Sequence, residues 1–193
     1  SIETTKRLID VAAVAGCDYV KFQKRTPDLC VPEHQKNKIR ETPWGSIPYI
    51  EYKKKIEFEK EEYDEISAYC KDKDIEWFAS VWDLPSVDFM AQYTTIGKIP
   101  SALINDNELL SYARKNFKTL LISTGMSTEE EVVEAVRVGN PDVIFHTNSS
   151  YPSNIDELNL RHILTLKDKY PQFFIGFSNH YSGFDASLGA VAL

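Results

Sequence analysis

The sequence predicts an α/β fold, a (β/α)₈ barrel from which the first and eighth strands are missing. Three observations carry that prediction. Six short apolar runs recur along the chain: DYVKFQ (18–23), EWFASV (76–81), IGKIPS (96–101), TLLIST (119–124), VIFHTN (143–148) and FFIGFSN (173–179). They are nearly continuous in apolar residues, as parallel strands covered on both faces are. Helical patterns lie between them, so that from the second run onward each βα unit takes about 20–30 residues. Finally, every run ends on polar or charged groups. A barrel gathers function at the C-terminal ends of nearly all its strands, whereas a doubly wound sheet concentrates it at one switch point.

In chain order, residues 2–15 place Ile2, Leu8, Ile9 and Ala12 on one side of a helix that Gly16 ends. No strand precedes this helix, so the first run is read as strand two of eight. A long insertion, Lys24 to about Phe58, separates the first two runs. Connections beyond about 12–15 residues usually carry function or an interface. Its Lys53, Lys54 and Lys55 read as a solvated surface, and its Trp44, Tyr49 and Tyr52 as packing or as a contact for a subunit or substrate. Helices are expected over 59–72, 84–93 and 106–116. "STEEEVVEAVRVG" opens with a capping box, Ser127 and Glu130, and stops at Gly139. "SNIDELNLRHILTLKDKY" reads as one helix before the last run, and "GFDASLGAVAL" begins another after it. Residues 1–193 thus form one partial barrel domain, strands two to seven.

Composition narrows the class. Hydrophobic content of 42% and charged content of 26% are ordinary for a globular protein. A net charge of −7 disfavours nucleic acid and anionic membranes as partners. Cys17, Cys30 and Cys70 show no CxxC pairing, and an odd count argues against a disulfide framework. No segment approaches the roughly 20 apolar residues of a membrane span. Ser1 leads straight into a helical pattern without a signal peptide, and the expected location is the cytoplasm. Neither GxGxxG nor a Walker A motif occurs.

An anionic substrate would need cations placed locally. Lys21 in "YVKFQ" and Lys98 in "IGKIPS" lie inside strand patterns, where a lysine is costly unless it meets a carboxylate at the rim or binds an anion. With Ser80, Ser101, Ser123 and Ser178 at neighbouring strand ends, they suggest a phosphate and carboxylate pocket. Each serine alone is a turn hydroxyl; their joint placement on one face carries the reading. The glycine of "STGMS" lets backbone amides approach a ligand. His34 and His162 read as structural, and His146 sits within a strand. His180 stands at a strand tip, where an imidazole can serve a divalent ion, although no HxH or HExxH pattern supplies its partner.

The segments "AGCDYVKFQ", "TPWGSIPYIEYKKKIEF", "FASVWD", "KIPSA", "LLISTGMS", "SSYPSNIDELNLR" and "IGFSNHYSG" together resemble the sialic acid (N-acetylneuraminate) synthase family over essentially the whole chain. That resemblance implies a barrel followed by an antifreeze-like domain absent from this chain, in a homodimer. It implies condensation of phosphoenolpyruvate with N-acetylmannosamine or a related N-acyl amino sugar, releasing phosphate. Lys21 and Lys98 match lysines that bind phosphoenolpyruvate, and Ser101, Ser123 and Ser178 match hydroxyls around it. Gln23 and Tyr151 match residues facing the sugar, and Ser149 stands where some members have asparagine. His180 matches one of two histidines that hold manganese, with magnesium as the other candidate ion; the second histidine and a catalytic glutamate lie outside these 193 residues, so this stretch alone is expected to be inactive. Asn179 replaces an aspartate common in the family, and Val81 a threonine. Two other readings compete: a class I aldolase forming a Schiff base on Lys98 or Lys21, and a non-catalytic degenerate barrel.

Overall fold

The structure, a computed structural model, describes residues 1–193 as two compact units, Ser1–Thr94 and Thr95–Leu193. In the first unit, α1 (Ile2–Val14) is capped by the Ser1 hydroxyl, which accepts from Thr4 N–H, and ends before Gly16 at φ +75°. Ile9 is buried as expected, but Leu8 is exposed. β1 (Tyr19–Lys24) runs parallel to β4 (Glu76–Val81), pairing Tyr19 with Glu76 through to Lys24 with Val81. α5 (Lys60–Asp72) enters through a capping box of Glu59 and Glu62, and α6 (Leu84–Met90) is capped by Asp83. These elements close over Tyr63, which stacks on Trp77 at 5.8 Å and meets Phe22 and Phe89 edge-on.

The insertion is more ordered than its composition predicts. It contains α2 (Pro27–Cys30), α3 (Glu33–Lys36), an antiparallel hairpin of β2 (Ile39–Thr42) and β3 (Gly45–Pro48), and α4 (Tyr49–Ile56). Its lysines are not simply solvated. Lys53 lies over Tyr49 and Tyr52, Lys55 over Trp44, and Lys54 pairs with Asp28. Both ends are clamped. Lys24 Nζ donates to the Phe58 carbonyl at 2.6 Å, and Arg25 pairs with Glu57 at 2.7 Å. Asp83 accepts from Thr26 N–H at 2.6 Å and from the Cys30 thiol.

The second unit is a run of parallel strands in the order β5 (Ile96–Ile99), β6 (Thr119–Ser123), β7 (Val143–Thr147) and β8 (Phe174–Ser178). α7 (Asn107–Asn116), α8 (Glu129–Gly139), α9 (His162–Lys169) and α10 (Asp185–Val191) alternate with them. Close packing requires Gly97, where a Cβ would lie 2.2 Å from the Phe117 ring. The α/β class and all six strands are therefore as predicted, with ends shifted by one or two residues.

Three local readings need correction. The capping box of α8 is Thr128 with Glu131, because Ser127 Oγ instead donates to the Gly125 carbonyl. α8 ends at Asn140 in the left-handed region, φ +40°; Gly139 is helical and buried against Leu110. The stretch 153–170 is not one helix: a 3₁₀ turn at Ile155–Glu157 and a left-handed Asn159, φ +45°, precede α9. No helix is long and apolar enough to cross a membrane, and the three cysteines are free.

Candidate active site

In the second unit the predicted residues converge at the C-terminal strand ends. Lys98 is only 6% exposed; its Nζ lies 3.5 Å from Ser178 Oγ and 4.4 Å above the Phe145 ring. Gly176 makes that position possible, since a Cβ there would meet Phe145 at 2.6 Å. A cation on an aromatic face is stabilised by the ring. Ser123, last in β6, is buried and its hydroxyl has no hydrogen-bond partner. A buried hydroxyl left unsatisfied is costly. Ser101 Oγ accepts from Gly125 N–H at 3.0 Å, so this one amide of "STGMS" serves the serine. A Cβ on Gly125 would lie 2.2 Å from Ser149 Oγ and 3.0 Å from Ser101 Oγ. The glycine thus lets both hydroxyls close on one point.

His180 is held by a knotted loop after β7. Its Nδ1 donates to the Asn148 carbonyl at 2.6 Å, which leaves Nε2 with its lone pair, and that nitrogen accepts from Tyr151 Oη at 2.7 Å. The two rings stack at 3.9 Å. Asn148 Oδ1 accepts from Ser150 N–H and Ser153 Oγ, while Asn148 Nδ2 donates to the Glu157 carbonyl. Ser153 N–H in turn donates to the His180 carbonyl at 3.1 Å. An Nδ1–H tautomer anchored by a carbonyl suits a metal-binding imidazole, so His180 fits as a single ligand. No group of three or more His, Cys, Asp or Glu side chains is gathered to hold an ion, however, and these donors do not by themselves fit a manganese centre. His146 is structural, its Nε2 bonded to the Leu158 carbonyl at 2.7 Å, and burial lowers its pKa.

In the first unit, Gln23 and Ser80 are register partners across β1 and β4, and Lys21 sits opposite Phe78. Lys21 is solvent-exposed by surface area, although the protein packed around its amine lowers its pKa. The deeply buried strand lysine is Lys24, which sequence reasoning assigned to the insertion; its bond to Phe58, an ion pair with Glu59 and the Phe89 ring satisfy it. The Asn148 knot and the Phe145 platform were also missed, and neither leaves a signal in local sequence pattern. Burial and the Asp83 carboxylate push the Cys30 thiol up to about 12, which makes it a poor nucleophile.

Lysine and serine side chains thus gather at the C-terminal ends of parallel strands, the end at which α/β barrels place their functional residues. Residues 8–193 match the family model described as the NeuB family, and the chain belongs to that family. It is 33% identical to the N-acetylneuraminate-9-phosphate synthase of Drosophila melanogaster, over the whole of this chain and 54% of the relative. It is 30% identical to the N,N'-diacetyllegionaminic acid synthase of Campylobacter jejuni, over the whole of this chain and 60% of the relative. The chain therefore spans little more than half the length of these curated relatives. The crystal structure of the N-acetylneuraminic acid synthetase of Leptospira borgpetersenii in complex with citrate superimposes with a TM-score of 0.88 at 30% identity, covering 99% of this chain and 64% of that one.

Proposed function

We propose that this chain carries the phosphoenolpyruvate-binding part of a (β/α)₈-barrel synthase. The enzyme condenses phosphoenolpyruvate with N-acetylmannosamine or a related amino sugar, giving a sialic-acid-type nonulosonic acid and phosphate. The observation that carries this reading is the buried Lys98 amine on Phe145, beside Ser178. Lys98 binds one anionic group of phosphoenolpyruvate, and the Ser123 hydroxyl donates to one of its oxygens, which satisfies the orphaned group. Tyr151 faces the sugar, and Lys21 and Gln23 keep only the roles that the family resemblance implies for them. The enol carbon attacks the sugar aldehyde, whose C=O π pair moves to its oxygen and takes up a proton as the new carbon–carbon bond forms, leaving C2 oxocarbenium-like. Water then adds at C2 and gives up a proton, and the C2–O bond to phosphate breaks to release phosphate and leave the C2 ketone. The Lys98 charge is needed throughout, because the anionic groups persist until phosphate departs. His180 supplies one ligand of a divalent-ion site, manganese in the first instance, that other residues complete.

In the active enzyme, Lys98→Met is expected to weaken phosphoenolpyruvate binding by about ten- to hundredfold, the loss of a charge-assisted contact of roughly 1.5–3 kcal/mol. Sugar binding and the melting temperature should hardly change. Calorimetric titration of both substrates reads this. Equal losses for the two would make Lys98 structural, and a covalent adduct trapped by borohydride with pyruvate would replace this mechanism with a Schiff-base aldolase.

A further inference from the structure

The motif "NLRH" has no part in the site above, yet it borders a hollow of its own. After left-handed Asn159, Arg161 and His162 open α9 against the ends of β6 and β7, and with Thr124, His146 and Thr165 they line an open hollow of about 390 Å³ in which Asn159, Arg161, His162 and Thr165 are exposed. This is the size of a small-ligand cavity. No carboxylate lines it, in a chain with 29 acidic residues against 22 lysines and arginines. The Arg161 side chain makes no ion pair or hydrogen bond, and nor do the side chains of Asn159 and Thr165. His162 has only a ring contact, 5.2 Å from His146. Thr124, His162 and Thr165 also line a second hollow of about 150 Å³, which Tyr170 borders. The Tyr170 side chain is buried and its hydroxyl has no partner. The one carboxylate in that lining, Glu129, is already bound to Lys169.

We infer that this hollow is a second anion site, for inorganic phosphate or a small phosphate monoester, with Arg161 as its principal cation. A guanidinium fork matches phosphate oxygens in pairs. His162, Asn159 and Thr165 offer further donors. The hollow lies outside the serine and Lys98 cluster: none of the lysine and serine side chains that hold phosphoenolpyruvate in the proposed mechanism lines it.

The test follows the imidazole signals of His162 and His146 by NMR while inorganic phosphate, then glycerol phosphate, is titrated at constant ionic strength against chloride. A saturable shift at His162 is expected, weakened by about tenfold or more in Arg161→Gln and retained in Lys98→Met. Tighter binding of glycerol phosphate than of phosphate identifies an ester site, and equal binding a phosphate site. Because the Arg161 side chain makes no internal bond, Arg161→Gln should melt with the parent protein, so loss of the shift cannot be put down to unfolding. No saturable shift, a shift unchanged in Arg161→Gln, or one abolished by Lys98→Met overturns the inference.

Discussion

Replacing Gly125 by alanine places a methyl group where two serine hydroxyls meet. Its Cβ would stand 2.2 Å from Ser149 Oγ and 3.0 Å from both Ser101 Oγ and the Thr147 carbonyl oxygen. Ser149 can rotate out of the way. The Thr147 backbone cannot, and Ser101 is held by its bond to Gly125 N–H. Gly125 is not among the residues with positive φ, so alanine is conformationally admissible there. On backbone entropy alone it should stabilise by about 0.4–1 kcal/mol. Overpacking costs about 1–3 kcal/mol, so the contacts win and a net loss of about 1–2 kcal/mol is expected. For a chain of this size that is a fall in Tm of about 2–8 °C. In a Ser149→Ala background the shortest contact disappears, and the loss should shrink by at least about 0.5 kcal/mol. Circular dichroism melts of the four proteins measure both quantities. Equal falls in the two backgrounds, or a Gly125→Ala protein that melts at or above the parent, would refute the convergence of Ser101 and Ser149 on this glycine.

Ser153→Ala removes a buried hydroxyl whose single proton is shared between Asn148 Oδ1 and the Ser150 carbonyl; chemical denaturation should show a loss of about 1–3 kcal/mol, and an unchanged midpoint would dismiss this loop as a support for His180. Burial holds the His146 imidazole below its ordinary value of about 6.5, outweighing the bond to Leu158. The unfolded chain therefore takes up that proton first, so the stability contributed by the neutral ring is complete above about pH 6.5 and lost as pH falls through 6.5 towards the folded pKa. His146→Gln should flatten this limb of a stability–pH series, and an identical slope would show that another group titrates there. His180→Ala in the active enzyme should abolish stoichiometric manganese; since both ring nitrogens are hydrogen-bonded, its melting temperature should fall too. Metal content that survives the substitution would leave His180 a structural residue.

What the sequence disclosed depended on the range of the interaction involved. The parallel strands were legible because burial on both faces writes continuous apolar runs, and with them the position of Ser101, Ser123 and Ser178 at or just past strand ends. Leu8 misled, since an apolar stripe does not say whether a neighbour covers it. Lys24 was taken for a loop residue because its partner, Phe58, is distant in sequence, and nothing local marks a bond of that span. The Gly176–Phe145–Lys98 stack was hidden likewise: it depends on three strands meeting in register. Asn159 could have been suspected, as asparagine tolerates the left-handed region that interrupts the expected helix.

The clamp on the insertion has a consequence for how this part of the chain can change. Lys24 and Phe58 are 34 residues apart in sequence yet joined by a direct bond, with Arg25 and Glu57 paired just inside them. The polymer between them is a closed loop whose ends are fixed by the base and not by its contents. Closure entropy grows only logarithmically with length, so even doubling such a loop costs about 0.6 kcal/mol. The hairpin and α4 can therefore be lengthened, shortened or exchanged while β1 and β4 stay in register, provided that Lys24, Arg25 and Glu57 remain.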